Sequence, residues 1–188
     1  MMAISYWTMF AFISAVWCIN RAIIWVKNKK IDLKRELQLL LVYICIVVLV
    51  RFLFCPFGKV NGKIQPLIFD IEKMLPFRIN LLPFVHLFDY AIKSEAVLNL
   101  VGNILMFVPV GIVFPIVYKK LDTPIKAIAV GAGCSLAIEI LQLPFYDRVS
   151  DIDDLILNSL GYIIGYLIYL GVKRIKTKSK LSRENRGI

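Results

Sequence analysis

Histidine is nearly missing from this chain. His86 is the only one, so a cluster of imidazole ligands is excluded, and a lone histidine reads as an interfacial side chain. The four cysteines, Cys18, Cys45, Cys55 and Cys134, show no paired spacing, so neither a disulfide framework nor a metal site follows. No nucleophile motif is present, and no cofactor is expected. Charge is also scarce, at 19% of residues, and from Met2 to Ile19 there is none. That stretch is expected to be a retained span rather than a secretory signal, because it lacks a basic n-region (the first charge is Arg21) and no small-residue cleavage motif follows.

What the chain has in excess is hydrophobicity. Apolar residues make up 59% of its 188 positions, with a mean hydropathy of +0.74, which excludes an ordinary soluble domain. They fall into five blocks: residues 2–19, extendable to 26 if Arg21 snorkels; 37–50, extendable to 54; 98–118; 124–143; and 152–172. Each approaches the ~20 residues needed to cross a ~30 Å hydrocarbon core. The expected fold is all-α, a polytopic membrane protein of about five transmembrane helices. Residues 1–54 form two helices and a basic loop, 55–172 a core, and 173–188 a basic tail. The longest connection, residues 54–97, is apolar but broken by Pro66, Pro76 and Pro83. It reads as interfacial helices or a re-entrant hairpin, a lid to which Arg78, Asn80 and His86 contribute polar groups.

The net charge of +10 is concentrated. Lys27, Lys29, Lys30, Lys34 and Arg35 follow the first block. Lys119, Lys120 and Lys126 follow the third, and seven cations from Lys173 to Arg186 fill the tail. The connection between the fourth and fifth blocks holds only Arg148 as a cation. The positive-inside rule therefore expects the amino terminus outside and the carboxyl terminus in the cytoplasm. Attraction to anionic headgroups accounts for the tail. Without aromatic interleaving, nucleic acid is not an expected partner.

With that orientation, polar residues of three spans converge in the outer half. Asn99 and Asn103 share a face of the third span. Ser135, Glu139 and Gln142 share one on the fourth, and Asp151, Asp154 and Asn158 one on the fifth, which continues through Gly161 and Gly165. A carboxylate at the centre of a span costs about 2.5–3.5 kcal/mol on insertion scales. Glu139 therefore needs a partner such as Arg148, Asn103 or Asn158.

Structural roles compete for these residues. Ser150 with Asp153 matches a capping box, and acids suit a first helical turn. Asn103 and Asn158 could be interhelical hydrogen bonds, and Gly161 and Gly165 read as close helix packing. Pro109 and Gly111 are expected to kink or loosen the third span.

The motifs INLLPF, NLVGNILMFVPVG, EILQL and RVSDIDDLILNSLGYIIG occur in the order and approximate spacing of those in VanZ-like membrane proteins. The chain resembles that family over about residues 78–169. The matching positions include Asn80, Pro83, Phe84, Asn99, Gly102, Asn103, Phe107, Pro109, Gly111, Glu139, Gln142, Arg148, Asp151, Asp153, Asp154, Asn158 and Gly161. The resemblance implies a bacterial cytoplasmic-membrane protein. The family's founding member is associated with lowered susceptibility to the glycopeptide teicoplanin, without remodelling of wall precursors.

Teicoplanin acts outside the cell on lipid-anchored wall precursors and carries an acyl chain. The leading expectation is thus an outer-leaflet pocket for a lipid-linked or lipidated molecule, with membrane lipids or lipid-linked cell-wall precursors as partners. Arg148 would grip an anionic headgroup, Asn80, Asn99, Asn103 and Asn158 would supply hydrogen bonds, and the acids would orient Arg148 or meet cations. One alternative is an enzyme acting on a lipid-linked substrate, with Glu139 and Asp154 as general acid and base. Asp151, Asp153, Asp154 and Glu139 could then hold a divalent ion. A small transporter or flippase is the other, although the inner halves of the spans offer few polar residues.

Overall fold

The computed structural model describes residues 2–54, 59–60, 63–70, 75–84, 93–121, 123–145 and 148–184. Five helices among them are long and apolar enough to span a membrane. They are α1 (Tyr6–Asn28), α2 (Leu33–Leu49), α3 (Lys93–Val117), α4 (Pro124–Gln142) and α5 (Ile152–Glu184). The chain is an all-α, multi-pass membrane protein.

Local sequence sets the helix starts. The Ser5 hydroxyl accepts the Thr8 N–H at 3.1 Å, and Asp32 Oδ1 accepts the Arg35 N–H at 3.1 Å. Thr123 caps α4, with Pro124 in the first turn, where its missing N–H costs nothing. α2 does not end at Leu49. A π-helical turn, Val50–Phe54, carries it to the length a span needs and buries Leu53 and Phe54.

α3 and α5 form the centre of the bundle. Their contact is made by glycines, because a methyl added at Gly161 or Gly165 would overlap the backbone carbonyl oxygen of Ile104 or Val108. Ile104 meets Gly161, and Val108 meets Gly165 one turn further along both chains, so the two helices run parallel. Gly111 approaches the Tyr162 carbonyl in the same way. Its role is close approach, and α3 continues as a helix through Pro109 and Pro115. α4 buries Ala127, Gly131, Ser135, Glu139 and Gln142, a spacing of three and four that defines one face. Gly131 leaves room there for the Tyr162 ring.

α2 closes the other side, with Leu39 and Val42 against Val117. α1 buries no residue. It touches α2 through Ser14 Oγ and Tyr43 OH, 2.7 Å apart, and through a two-point pairing of Arg21 with Glu36. Arg21 therefore has a carboxylate partner beyond the expected snorkelling. The exposed Trp7, Phe12 and Val26 of α1 are suited to lipid.

One expectation is corrected: Met2–Ile4, assigned to the first span, is a strand (β1) paired antiparallel with Leu67–Phe69 (β4). The described part of residues 54–97 that precedes α3 holds short strands. Lys59–Val60 (β2) pairs with Lys63–Ile64 (β3), and Ile79–Asn80 (β5) runs parallel to Ser150–Asp151 (β6). Pro66, Pro76 and Pro83 withhold amide donors and push the residue before them toward extended backbone, which favours strands and turns over a helix. Cys55 and His86 lie outside the described residues.

Candidate functional site

The β5–β6 pairing brings two distant motifs together, with Ile79 opposite Ser150 and Asn80 opposite Asp151. The Ser150 N–H donates to the Arg78 carbonyl at 2.9 Å. Asn80 Nδ2 donates to both oxygens of Asp151 at 3.1 Å, while its own oxygen accepts the Leu82 N–H at 3.1 Å. That Asx turn starts the bend through Pro83 to Phe84, where φ is +65°. The bend aims the Phe84 N–H at Asp153 Oδ1, 2.9 Å away. Left-handed backbone costs roughly 1–3 kcal/mol at a residue with a bulky side chain, and this hydrogen bond offsets part of it.

Behind the turn lie the acids. Glu139 is buried on α4, and its Oε2 accepts the Asp151 N–H at 3.0 Å. The donor is the β6 backbone rather than Arg148, Asn103 or Asn158, the partners expected from the sequence. Asp151 Oδ1 also accepts the Asp153 N–H at 2.9 Å. Asp151 is therefore the cap of α5, in place of the expected Ser150–Asp153 box. Asn103 donates to Asp154, and Asn158 Nδ2 to Ser135 Oγ at 3.1 Å. Asn99 is half-buried, and its side chain makes no hydrogen bond within the described residues.

Arg148 and Gln142 take a different part from the headgroup contact expected of the arginine. Arg148 Nε and Nη2 both donate to the Phe54 carbonyl, at 3.1 and 2.5 Å. Gln142 Nε2 donates to the Leu53 carbonyl at 2.5 Å. Together they satisfy backbone acceptors that the end of a helix leaves open. The Nε–Nη2 edge of the guanidinium is thus turned to backbone.

Glu139, Asp151, Asp153 and Asp154 are close enough to repel one another. Among the described residues, no group of three or more His, Cys, Asp or Glu is arranged to hold a metal ion. That donor geometry does not fit the divalent-ion variant of the enzyme reading. Among the described residues, three buried polar atoms have no hydrogen-bond partner: Asp153 Oδ2, Asn158 Oδ1 and Tyr162 Oη. Tyr162 was not among the expected site residues. Its position one turn beyond Asn158 on the same stripe was the signal that could have found it.

The buried polar side chains (Asp70, Asn103, Ser135, Glu139, Gln142, Asp153 and Asn158) all lie in the half of the bundle where α2 ends and α3 and α5 begin. Five apolar spans with a carboxylate cluster at one end define a polytopic helical membrane protein with an acceptor-rich site at a membrane boundary. The chain belongs to the VanZ/LLP1 family, whose sequence profile matches residues 40–174. The match extends beyond the motifs and takes in most of α2. No curated protein and no solved structure matches the chain.

Proposed function

We propose that this protein binds a lipidated or lipid-linked molecule of the cell envelope at the acidic end of its bundle. That end would face outward in a bacterial cytoplasmic membrane, with the amino terminus outside and the carboxyl terminus in the cytoplasm. Its role would be to lower susceptibility to teicoplanin-type glycopeptides.

The observation that carries this reading is Asp153. Its carboxylate is buried, one oxygen accepts the Phe84 N–H, and the other has no partner among the described residues. Leaving such an acceptor unsatisfied costs about 1–3 kcal/mol, or more for a charged group. When the strained turn at Phe84 opens, Asp153 offers both oxygens, with Asp154 and Glu139 nearby. This favours a ligand presenting amide or ammonium donors over the phosphate first expected, because the groups around Asp153 are carboxylate acceptors of negative charge. An acyl chain would lie in the adjoining lipid and hold the donor group at the right depth.

The test is susceptibility to teicoplanin and vancomycin in a sensitive Gram-positive host. Empty vector, wild type and Asp153→Asn are compared at equal membrane levels. The expected result is protection against teicoplanin and little against vancomycin, which lacks the acyl chain. Protection falls roughly tenfold in Asp153→Asn, the factor a charge-assisted hydrogen bond carries. Well-expressed wild type that gives no protection would remove the resistance role. Full protection by Asp153→Asn would remove the site.

A further inference from the structure

The opposite end of the bundle holds a second feature, which does not depend on the acidic site. A cavity of about 1010 Å³ opens there between α2, the end of α3 and α4. Its mouth carries Lys34, Arg35, Lys119 and Lys120, and its depth is walled by Val42, Ile46, Phe114, Val117 and Val130.

The cations divide into two kinds. Arg35 builds the wall: one guanidinium nitrogen donates to the Val117 carbonyl at 2.5 Å, and the group stacks over the Tyr118 ring at 5.7 Å. It thereby satisfies an orphan carbonyl at the end of α3 and fixes that end beside α2. Lys34, Lys119 and Lys120 are exposed and have no ion pair among the described residues. The one carboxylate lining the cavity, Asp32, already accepts the Arg35 N–H. Asp122, next to the lysines in sequence, lies outside the described residues.

Shape selects the occupant. From Asp32 to Ile46 the lining runs along α2 for roughly 20 Å at 1.5 Å per residue, more than half of a ~30 Å hydrocarbon core. A soluble anion would need only the cationic mouth. A deep apolar wall below fixed positive charge matches one molecule with a phosphate head and long acyl chains.

We infer that this cavity is a binding site for an anionic phospholipid of the adjacent leaflet. The phosphate sits among Lys34, Lys119 and Lys120, and an acyl chain descends along Val42, Ile46, Phe114 and Val130. The site holds a particular lipid, unlike the diffuse attraction of the basic tail.

The experiment uses the full chain purified in mild detergent, with native mass spectrometry counting retained lipid after addition of phosphatidylglycerol or phosphatidylcholine. Wild type should retain one phosphatidylglycerol in strong preference. The triple variant Lys34→Gln/Lys119→Gln/Lys120→Gln should lose affinity on the order of 100-fold, from about a factor of five per lysine. Val130→Trp keeps the charges but fills the cavity, and it should weaken retention on its own. Lys176→Gln/Lys178→Gln/Lys180→Gln, in the tail, should retain the lipid as wild type does. Four outcomes would overturn the inference: equal retention of the two lipids by wild type, unchanged retention in Val130→Trp, loss only in the tail variant, or displacement by glycerol phosphate at equal concentration.

Discussion

Single residues at the α3–α5 contact have sharply different expected tolerances. Gly161→Ala places a methyl against the Ile104 carbonyl and Gly165→Ala against that of Val108, so the helices must separate. Such overpacking costs about 1–3 kcal/mol. Gly133, on α4, has nothing within 4 Å of the same added methyl, and Gly133→Ala should leave stability unchanged or slightly raised. Unfolding titrations in mixed micelles compare the three, and equal stability of all of them would show that α3 and α5 are not in backbone contact. Asp151 carries a heavier load, because it caps α5, accepts from Asn80 and offers its N–H to Glu139. Asp151→Ala removes the first two roles and should cost more than the ~0.5–2 kcal/mol of a lost cap alone.

At the scale of elements, the end of α2 depends on side chains from α4 and from the segment before α5. Gln142→Leu leaves the Leu53 carbonyl buried and unpaired, which should cost about 1–3 kcal/mol. Protection per folded molecule should persist, since Gln142 serves the scaffold. If instead protection vanished while stability held, Gln142 would be a ligand contact. The five helices and the polar stripe of α4 were legible in the sequence because apolar length and three–four spacing are local properties. The GxxxG packing was legible for the same reason. The partner of Glu139 was not, because the Asp151 N–H reaches it only after β5 and β6 pair across a sequence separation of about seventy residues. Nor was the strand at Met2–Ile4, three residues whose apolar character is indistinguishable from the start of a span. The reassignment of Arg148 followed from the π-turn, which presents the Phe54 carbonyl where an ordinary helix end would have been expected earlier.

For the molecule as a whole, the two ends of the bundle carry opposite charge, acids at one and lysines at the other. The proposed orientation puts Val149, in the α4–α5 connection, outside and Lys178, in the tail, inside. In a background with the four cysteines replaced, Val149→Cys should react with a membrane-impermeant maleimide on intact cells. Lys178→Cys should react only after permeabilisation. The reverse pattern would turn the protein over and place the acidic site in the cytoplasmic leaflet.

α5 joins those two ends as one unbroken helix of 33 residues, roughly 50 Å long. Its first turn holds Asp153 and Asp154, and its last dozen residues stand clear of a ~30 Å hydrocarbon core. A continuous helix is stiff along its axis, so a tilt imposed at Asp153 by a bound ligand would be carried to the far face without being absorbed by a joint. Spin labels on the two ends would register that tilt as a change at both positions together. A partner touching the protruding end could then sense occupancy on the other side of the membrane without any solute crossing it.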